Sequence, residues 1–179
     1  MTNKTAVVYR TRYGSTRKYA EWIARELDAD LLEGNKTSPE ALLGYDTIVY
    51  GGALYPVGIL GFTLIKKNYQ RLREKKIIVF SVGASPATPK AIEDIRTSNF
   101  TDEMQETVEH YHFRGGFEYA KLSFTHKVLM GLLKRNLQKK DSLDNNEPGM
   151  MSVFNRPVDW TDKKTIRPLL EKVKGEQID

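Results

Sequence analysis

Short apolar runs rich in β-branched residues alternate along this chain with stretches whose apolar residues recur every three or four positions. That alternation constrains the fold more than any other feature. Thr5–Tyr9 (TAVVY), Thr47–Tyr50 (TIVY) and Ile77–Val82 (IIVFSV) are nearly continuous. A strand with one wet face would alternate apolar and polar residues, so continuous runs predict strands covered on both faces, as in a parallel sheet. Ala29–Glu33 reads as a weaker strand near an edge. A fifth strand is expected over His110–Tyr119, where Gly115-Gly116 marks a bulge or a close backbone approach. Between these runs, Thr16–Leu27 places Tyr19, Ala20, Ile23, Ala24 and Leu27 on one helical face. Further helices are expected over Pro39–Leu43 with Ser38 as N-cap, over Leu60–Arg71, and from Pro89 irregularly through Glu106. Two more cover Ser123–Gln138 and the segment from Trp160, capped by Asp159, to Lys174. Pro168 should kink the last one or delay its start, because proline cannot donate the backbone bond. Strands alternating with helices predict a doubly wound α/β fold, here as a single domain over residues 1–179.

Composition narrows the function classes. The chain has no cysteine, which excludes disulfides, thiolate metal sites and cysteine nucleophiles. No run of about 18 apolar residues predicts a membrane-spanning helix. A strand begins within a few residues of Met1, so no secretory signal is expected, and a cytoplasmic location, consistent with the lack of cysteine, is expected. His110 and His112 alternate along one predicted strand and face the same side. They lack the carboxylate or cysteine partners of a metal site, and no metal is expected. The formal charge of +5 would favour acidic partners or anionic lipid, though lysines solvated on helix faces account for most of it. No nucleic-acid motif is present, and no nucleic-acid partner is expected. The stretch Gln138–Gly149, rich in Lys, Asp and Asn, reads as a mobile loop.

Ligands of a doubly wound sheet bind beyond the carboxyl ends of its strands. Three loops leave those ends. The first is Thr11-Arg12-Tyr13-Gly14-Ser15-Thr16. Its hydroxyls and glycine at a helix N-terminus can surround a phosphate, with backbone N–H groups and the helix dipole favouring the charge. An ordinary helix cap through Ser15 or Thr16 would use the same residues. The loop lacks the GK[ST] ending of a Walker motif and the GxGxxG of a dinucleotide turn. The second loop is Gly51-Gly52-Ala53-Leu54-Tyr55-Pro56-Val57-Gly58, and the third is Ser81-Val82-Gly83-Ala84-Ser85-Pro86-Ala87.

At the first loop the sequence resembles the flavodoxin family. The FMN phosphate loop of that family has the form Thr-x-(Ser/Thr/Tyr)-Gly-x-Thr directly after the first strand. Thr11, Tyr13, Gly14, Ser15 and Thr16 match it in place. The resemblance implies a five-stranded sheet of order 2-1-3-4-5, FMN as cofactor, and hydroxyls and amides of this loop on its phosphate. Arg12 would add charge or face water. It further implies that the second loop, with Ala53, Leu54 and Tyr55, lies along the isoalloxazine. Small residues there would admit the backbone to the flavin N5 edge, and Tyr55 either stacks on the ring or anchors the loop from the core. Val82, Gly83, Ala84 and Ser85 would border the pyrimidine edge.

A closer likeness runs through the C-terminal part. Gly115-Gly116-Phe117-Glu118-Tyr119, an apolar-basic helix, and Val158-Asp159-Trp160 resemble the menaquinone-dependent protoporphyrinogen oxidases. That likeness implies an FMN-dependent oxidoreductase whose redox donor and acceptor include a porphyrinogen and a quinone. The loop after the third strand departs from it, being apolar at Leu54–Val57 where those enzymes carry basic and histidine residues. Lys121, Lys127, Lys134, Arg135, Lys139 and Lys140 flank an apolar stripe of Phe124, Leu129 and Leu133. Such a helix can make peripheral contact with the inner face of a membrane, or bury its stripe in the core with its lysines solvated. No residue pair stands out as a catalytic acid and base, and none is needed for electron transfer at an exposed flavin edge. A flavodoxin-like electron carrier and a binding module without cofactor are the competing expectations. Carriers of that family are usually acidic, so the charge of +5 counts against the first.

Overall fold

The computed structural model describes residues 3–117, 128, 131 and 157–175. The chain divides into two compact units, Met1–Gly115 with Thr161–Asp179, and Gly116–Trp160. In the first unit the strands are β1 (Thr5–Arg10), β2 (Asp30–Glu33), β3 (Thr47–Tyr55), β4 (Gly58–Ile59), β5 (Lys76–Gly83) and β6 (Glu109–Arg114). They form a six-stranded sheet of order β2-β1-β3-β5-β6, with the short β4 folded back on β3. The pairs β1–β2, β1–β3, β3–β5 and β5–β6 are all parallel. Leaving the β4 hairpin aside, this is the order 2-1-3-4-5 in sequence.

The continuous apolar runs are explained by burial on both faces. Ala6, Val8, Ile48, Tyr50, Ile77 and Val79 point to one side. There they meet helices α2 (Pro39–Leu42), α3 (Thr63–Leu72), α4 (Pro89–Asn99) and α5 (Asp102–Thr107) through Leu42, Ile65, Leu72, Ile95 and Met104. Val7, Tyr9, Val49, Ile78, Phe80 and Val82 point to the other. There they meet Tyr19, Ala20 and Ile23 of α1 (Ser15–Leu27) and Leu169 and Val173 of α6 (Arg167–Lys174). Each fully buried Leu, Ile or Phe in such a core contributes on the order of 1.5–3 kcal/mol of transfer free energy.

Several boundaries differ from expectation, each for a local reason. β3 continues through Ala53, Leu54 and Tyr55, because Leu54 and Tyr55 pair antiparallel with Ile59 and Gly58 in a hairpin. The helix expected from Leu60 begins at Thr63, after Gly61 takes φ +72°, a left-handed value that no helix continues. The helix from Pro89 does not run through Glu106. Phe100 is extended, and the Thr101 hydroxyl accepts the Met104 N–H to start α5. The fifth strand stops at Arg114, and Gly116–Phe117 forms a separate antiparallel pair, β7, with β8 (Val158–Asp159) in the second unit. Asp159 therefore lies in a strand and is no cap. Asp162 takes that role, accepting the Lys164 N–H at 2.9 Å to open a 3₁₀ turn over Lys163–Ile166. Pro168 delays α6 as expected and sits in its first turn. Of the helix expected over Ser123–Gln138, Val128 and Gly131 are helical and the rest lies outside the described residues, as does the loop 138–149.

Gly51 and Gly52 are small for the sake of the protein's own packing. A Cβ on Gly51 would sit inside the Phe80 ring of the neighbouring strand. One on Gly52 would meet Ile59 and, at 2.8 Å, the Leu60 carbonyl oxygen. Phe80 is fully buried and cannot turn aside. Gly51→Ala is therefore expected to cost about 1–3 kcal/mol in urea denaturation by overpacking, and a further Phe80→Leu substitution should recover part of that loss.

Candidate functional site

The carboxyl ends of β1, β3 and β5 lie side by side, and the residues that leave them make up the candidate site. After β1 the chain turns through Thr11–Gly14 into α1. The Gly14 N–H donates to Thr11 Oγ1 at 3.0 Å, which closes the turn. Gly14 has φ +98°, and open space surrounds the position a Cβ would take. Ser38, Thr88 and Thr101 cap α2, α4 and α5 with side-chain oxygens, but α1 opens on Gly14 with no side-chain cap and no acidic residue in its first turn. The N-terminal amides of a 13-residue helix and its dipole thus present a place for an anion. Arg12 and Tyr13 are exposed, Thr11 and Ser15 half-buried, and Thr16 is buried beneath the loop. Arg17 is directed to Glu21, at 2.7 Å. Open backbone, hydroxyls and a first turn without a carboxylate fit a phosphate monoester such as that of FMN.

Tyr55 ends β3 at the hairpin whose tip is Pro56 and Val57. Burial pushes its hydroxyl above the ordinary tyrosine range; the neighbouring Tyr13 adds to this and the Arg12 guanidinium opposes it. That places Tyr55 in the electrostatic neighbourhood of the first loop. The hairpin is held from α4: Asn99 Oδ1 accepts the Ile59 N–H at 2.8 Å, and Gly58, with φ +115°, leaves room for that oxygen. A cleft of about 280 Å³ lies between Tyr55–Gly58 and the side chains of Asp94, Ser98 and Asn99. Ala53 is a ladder residue opposite Val82, and Leu54 is half-buried against the core. The expected loop over residues 51–58 is thus strand for most of its length, with only its tip free of the sheet.

Beyond β5 the segment Gly83-Ala84-Ser85 is tied to β6 and the residue that follows it, by three successive carbonyls. Gly115 N–H donates to Gly83 O at 2.8 Å, Arg114 Nε to Ala84 O at 3.2 Å, and His112 Nε2 to Ser85 O at 3.2 Å. In a trans peptide the N–H points opposite to the preceding C=O, so the amides of Ala84 and Ser85 face away from β6. Val82 is buried, while Ala84 and Ser85 are exposed. Gly115 is where this segment meets the first loop: a Cβ there would come within 2.8 Å of Val82 Cγ1 and 3.1 Å of Ser15 Cβ. The close approach read from Gly115-Gly116 is real, though the strand is interrupted there.

Sequence reasoning missed the polar cluster beneath the third segment. Ser81 Oγ lies 2.9 Å from His110 Nε2 and 2.8 Å from His112 Nδ1, and all three side chains are buried. Burial pushes His110 down to about 3, with His112 and Arg96 adding to it. Burial also holds His112 below the ordinary range, against the opposing contacts to Ser85 and Ser81. The alternation of the two histidines was the available signal. That Ser81 would stand opposite His112 follows only from the β5–β6 register.

The flavodoxin-domain family model matches residues 6–144. A search of curated proteins gave no match. Among solved structures, the chain is similar to the flavodoxin, WrbA-like protein from Agrobacterium tumefaciens, at 21% identity over 62% of this chain and 83% of that one, with a TM-score of 0.43. It is similar to oxidised Flavodoxin 2 from Bacillus cereus, at 23% identity over 61% and 84%, with a TM-score of 0.40. It is also similar to the Trp repressor binding protein from Bacillus subtilis, at 19% identity over 63% and 85%, with a TM-score of 0.44.

The buried histidines make stability depend on pH. Unfolded, each titrates near ~6.5; folded, both are held below that value. The unfolded chain then takes up protons that the folded chain refuses. Stability is complete above ~6.5 and falls as pH drops toward about 3 for His110, by up to ~1.4 kcal/mol per pH unit. Urea denaturation at pH 7, 6 and 5 should show this fall, and His110→Phe should flatten it relative to the unsubstituted protein.

Proposed function

Because the chain belongs to the flavodoxin domain family, we propose that it binds FMN at the carboxyl edge of its sheet and acts as a redox flavoprotein. The observation that carries this is the start of α1. It is a helix N-terminus led by a glycine at φ +98°, without a side-chain cap or first-turn acid, and beside hydroxyls that match the phosphate-loop pattern. Thr11, Ser15 and the amides following Gly14 would hold the phosphate, and Arg12 would add positive charge. Tyr55, with Ala53 and Leu54 behind it, would border one side of the ring. The outward amides of Ala84 and Ser85 would donate to the pyrimidine carbonyls. Bound FMN supplies one- and two-electron chemistry, while the protein supplies placement and electrostatics.

Within this class, the reaction proposed is that of a quinone-linked oxidoreductase of the protoporphyrinogen oxidase type. Two features support it. One is the C-terminal likeness, whose Gly116–Phe117 and Val158–Asp159 pair as strands of one unit. The other is the formal charge of +5, which suits an anionic substrate or membrane surface better than the basic docking faces met by acidic electron carriers. Among the described residues no helix is long and apolar enough to cross a membrane. Contact with lipid would be peripheral, through residues 121–140.

Purified protein incubated with FMN and freed of excess ligand should show the two visible flavin bands at about one equivalent. A folded protein that retains no flavin overturns the FMN assignment in favour of a binding module. Ser15→Asp, which sets a carboxylate in the first turn of α1, should weaken FMN at least about tenfold and leave riboflavin, which has no phosphate, unchanged. With flavin bound, oxidation of protoporphyrinogen coupled to a menaquinone analogue supports the enzyme. Exchange only with one-electron protein partners supports a carrier.

A further inference from the structure

The Ser81–His110–His112 cluster admits only one arrangement of its protons. The Ser85 carbonyl can only accept, so His112 Nε2 carries the proton that reaches it at 3.2 Å. A neutral His112 then has a bare Nδ1, which accepts from the Ser81 hydroxyl at 2.8 Å. With its one proton committed, Ser81 Oγ accepts from His110 Nε2 at 2.9 Å. His110 Nδ1 is left as a buried lone pair without a partner among the described residues. The chain is therefore directional, from His110 through Ser81 and His112 to the carbonyl of Ser85.

Every member is packed in place. Ser81 is fully buried, and His110 and His112 are 7% and 4% exposed. The Phe100 ring stands edge-on to His110, with centroids 5.5 Å apart. Gly83 leaves the space that His112 occupies, since a Cβ there would lie 3.2 Å from His112 Cε1. The charges that bear on the pair are Arg96 of α4, acting on His110, and Arg114 of β6, acting on His112. Both are cationic, so an added proton has no counter-charge among them.

The far end of the chain is the last of three carbonyl ties on Gly83–Ser85, and Pro86 follows directly. Proline has no N–H to anchor the segment further. The tie to Gly83 is made by backbone and the tie to Ala84 by an arginine at the surface. Only the tie to Ser85 is made from inside the core. We propose that Ser81, His110 and His112 are positioning residues for the flavin ring: the buried chain holds Ser85 so that the outward amides of Ala84 and Ser85 stand ready for it. This role rests on the FMN assignment above. It differs from that of the first loop, which serves the phosphate.

Riboflavin separates the two, because it presents the ring without the phosphate. Flavin-fluorescence titrations with FMN and with riboflavin would compare the unsubstituted protein, His112→Phe and His112→Gln. The phenyl ring keeps the volume and removes the donor; the glutamine amide keeps a donor for Ser85 O. His112→Phe should weaken both flavins by the same factor, about five- to tenfold, the worth of one hydrogen bond. His112→Gln should stay within about twofold of the unsubstituted protein. Side-chain ¹⁵N NMR of the flavin-free protein should show both His110 and His112 as neutral Nε2–H tautomers. An unsubstituted protein that binds neither flavin overturns the FMN assignment and the positioning role together. Flavin binding unchanged in His112→Phe, equal losses in His112→Phe and His112→Gln, or an Nδ1–H tautomer at His112 overturns the positioning role alone.

Discussion

Parallel strands cannot leave a face in water, because the crossovers that join them lie on the sheet. In this protein β1, β3, β5 and their neighbours are covered by α2–α5 on one side and by α1 and α6 on the other. The same crossovers return the chain to the sheet in one sense. The carboxyl ends of the five parallel strands therefore open at one edge, and the loops leaving β1, β3 and β5 lie there. The site is a consequence of that topology. Thr11–Thr16, the β3 hairpin and Gly83–Ser85 are far apart in sequence, yet Ser15 and Val82 both crowd the missing Cβ of Gly115.

Glycine marks where backbone or rings approach closely, but for two different purposes. Gly51, Gly52 and Gly83 make room for the protein's own groups: Phe80, the Ile59–Leu60 hairpin, and His112 with Leu54. Gly14 faces open space at φ +98°. A side chain is disfavoured there by backbone conformation alone. The first three glycines are set by packing and the fourth by its backbone dihedral.

The polar cluster below Ser85 shows a cost accepted within a core. Two imidazoles and a hydroxyl are taken from water, and each histidine is held neutral. Burial without hydrogen bonds would cost several kcal/mol, and the chain of three bonds offsets most of that. The last of these bonds is to the Ser85 carbonyl, directly before a proline that has no N–H to donate.

The strands of the parallel sheet, the amphipathic α1, the cap at Ser38 and Pro89's place at the start of a helix were legible in the sequence. Each depends on residues within a turn or two of one another, where periodicity and backbone chemistry act directly. The turn into α1 was legible for the same reason, since Thr11 and Gly14 bond across three residues. Tertiary structure alone decided that β3 runs on to Tyr55, that Asp162 rather than Asp159 opens the last helical segment, and that Ser81 stands between two histidines. Those outcomes depend on strand register and on which hairpin or neighbour completes a hydrogen bond. Such partners lie tens of residues away, and no local pattern encodes them.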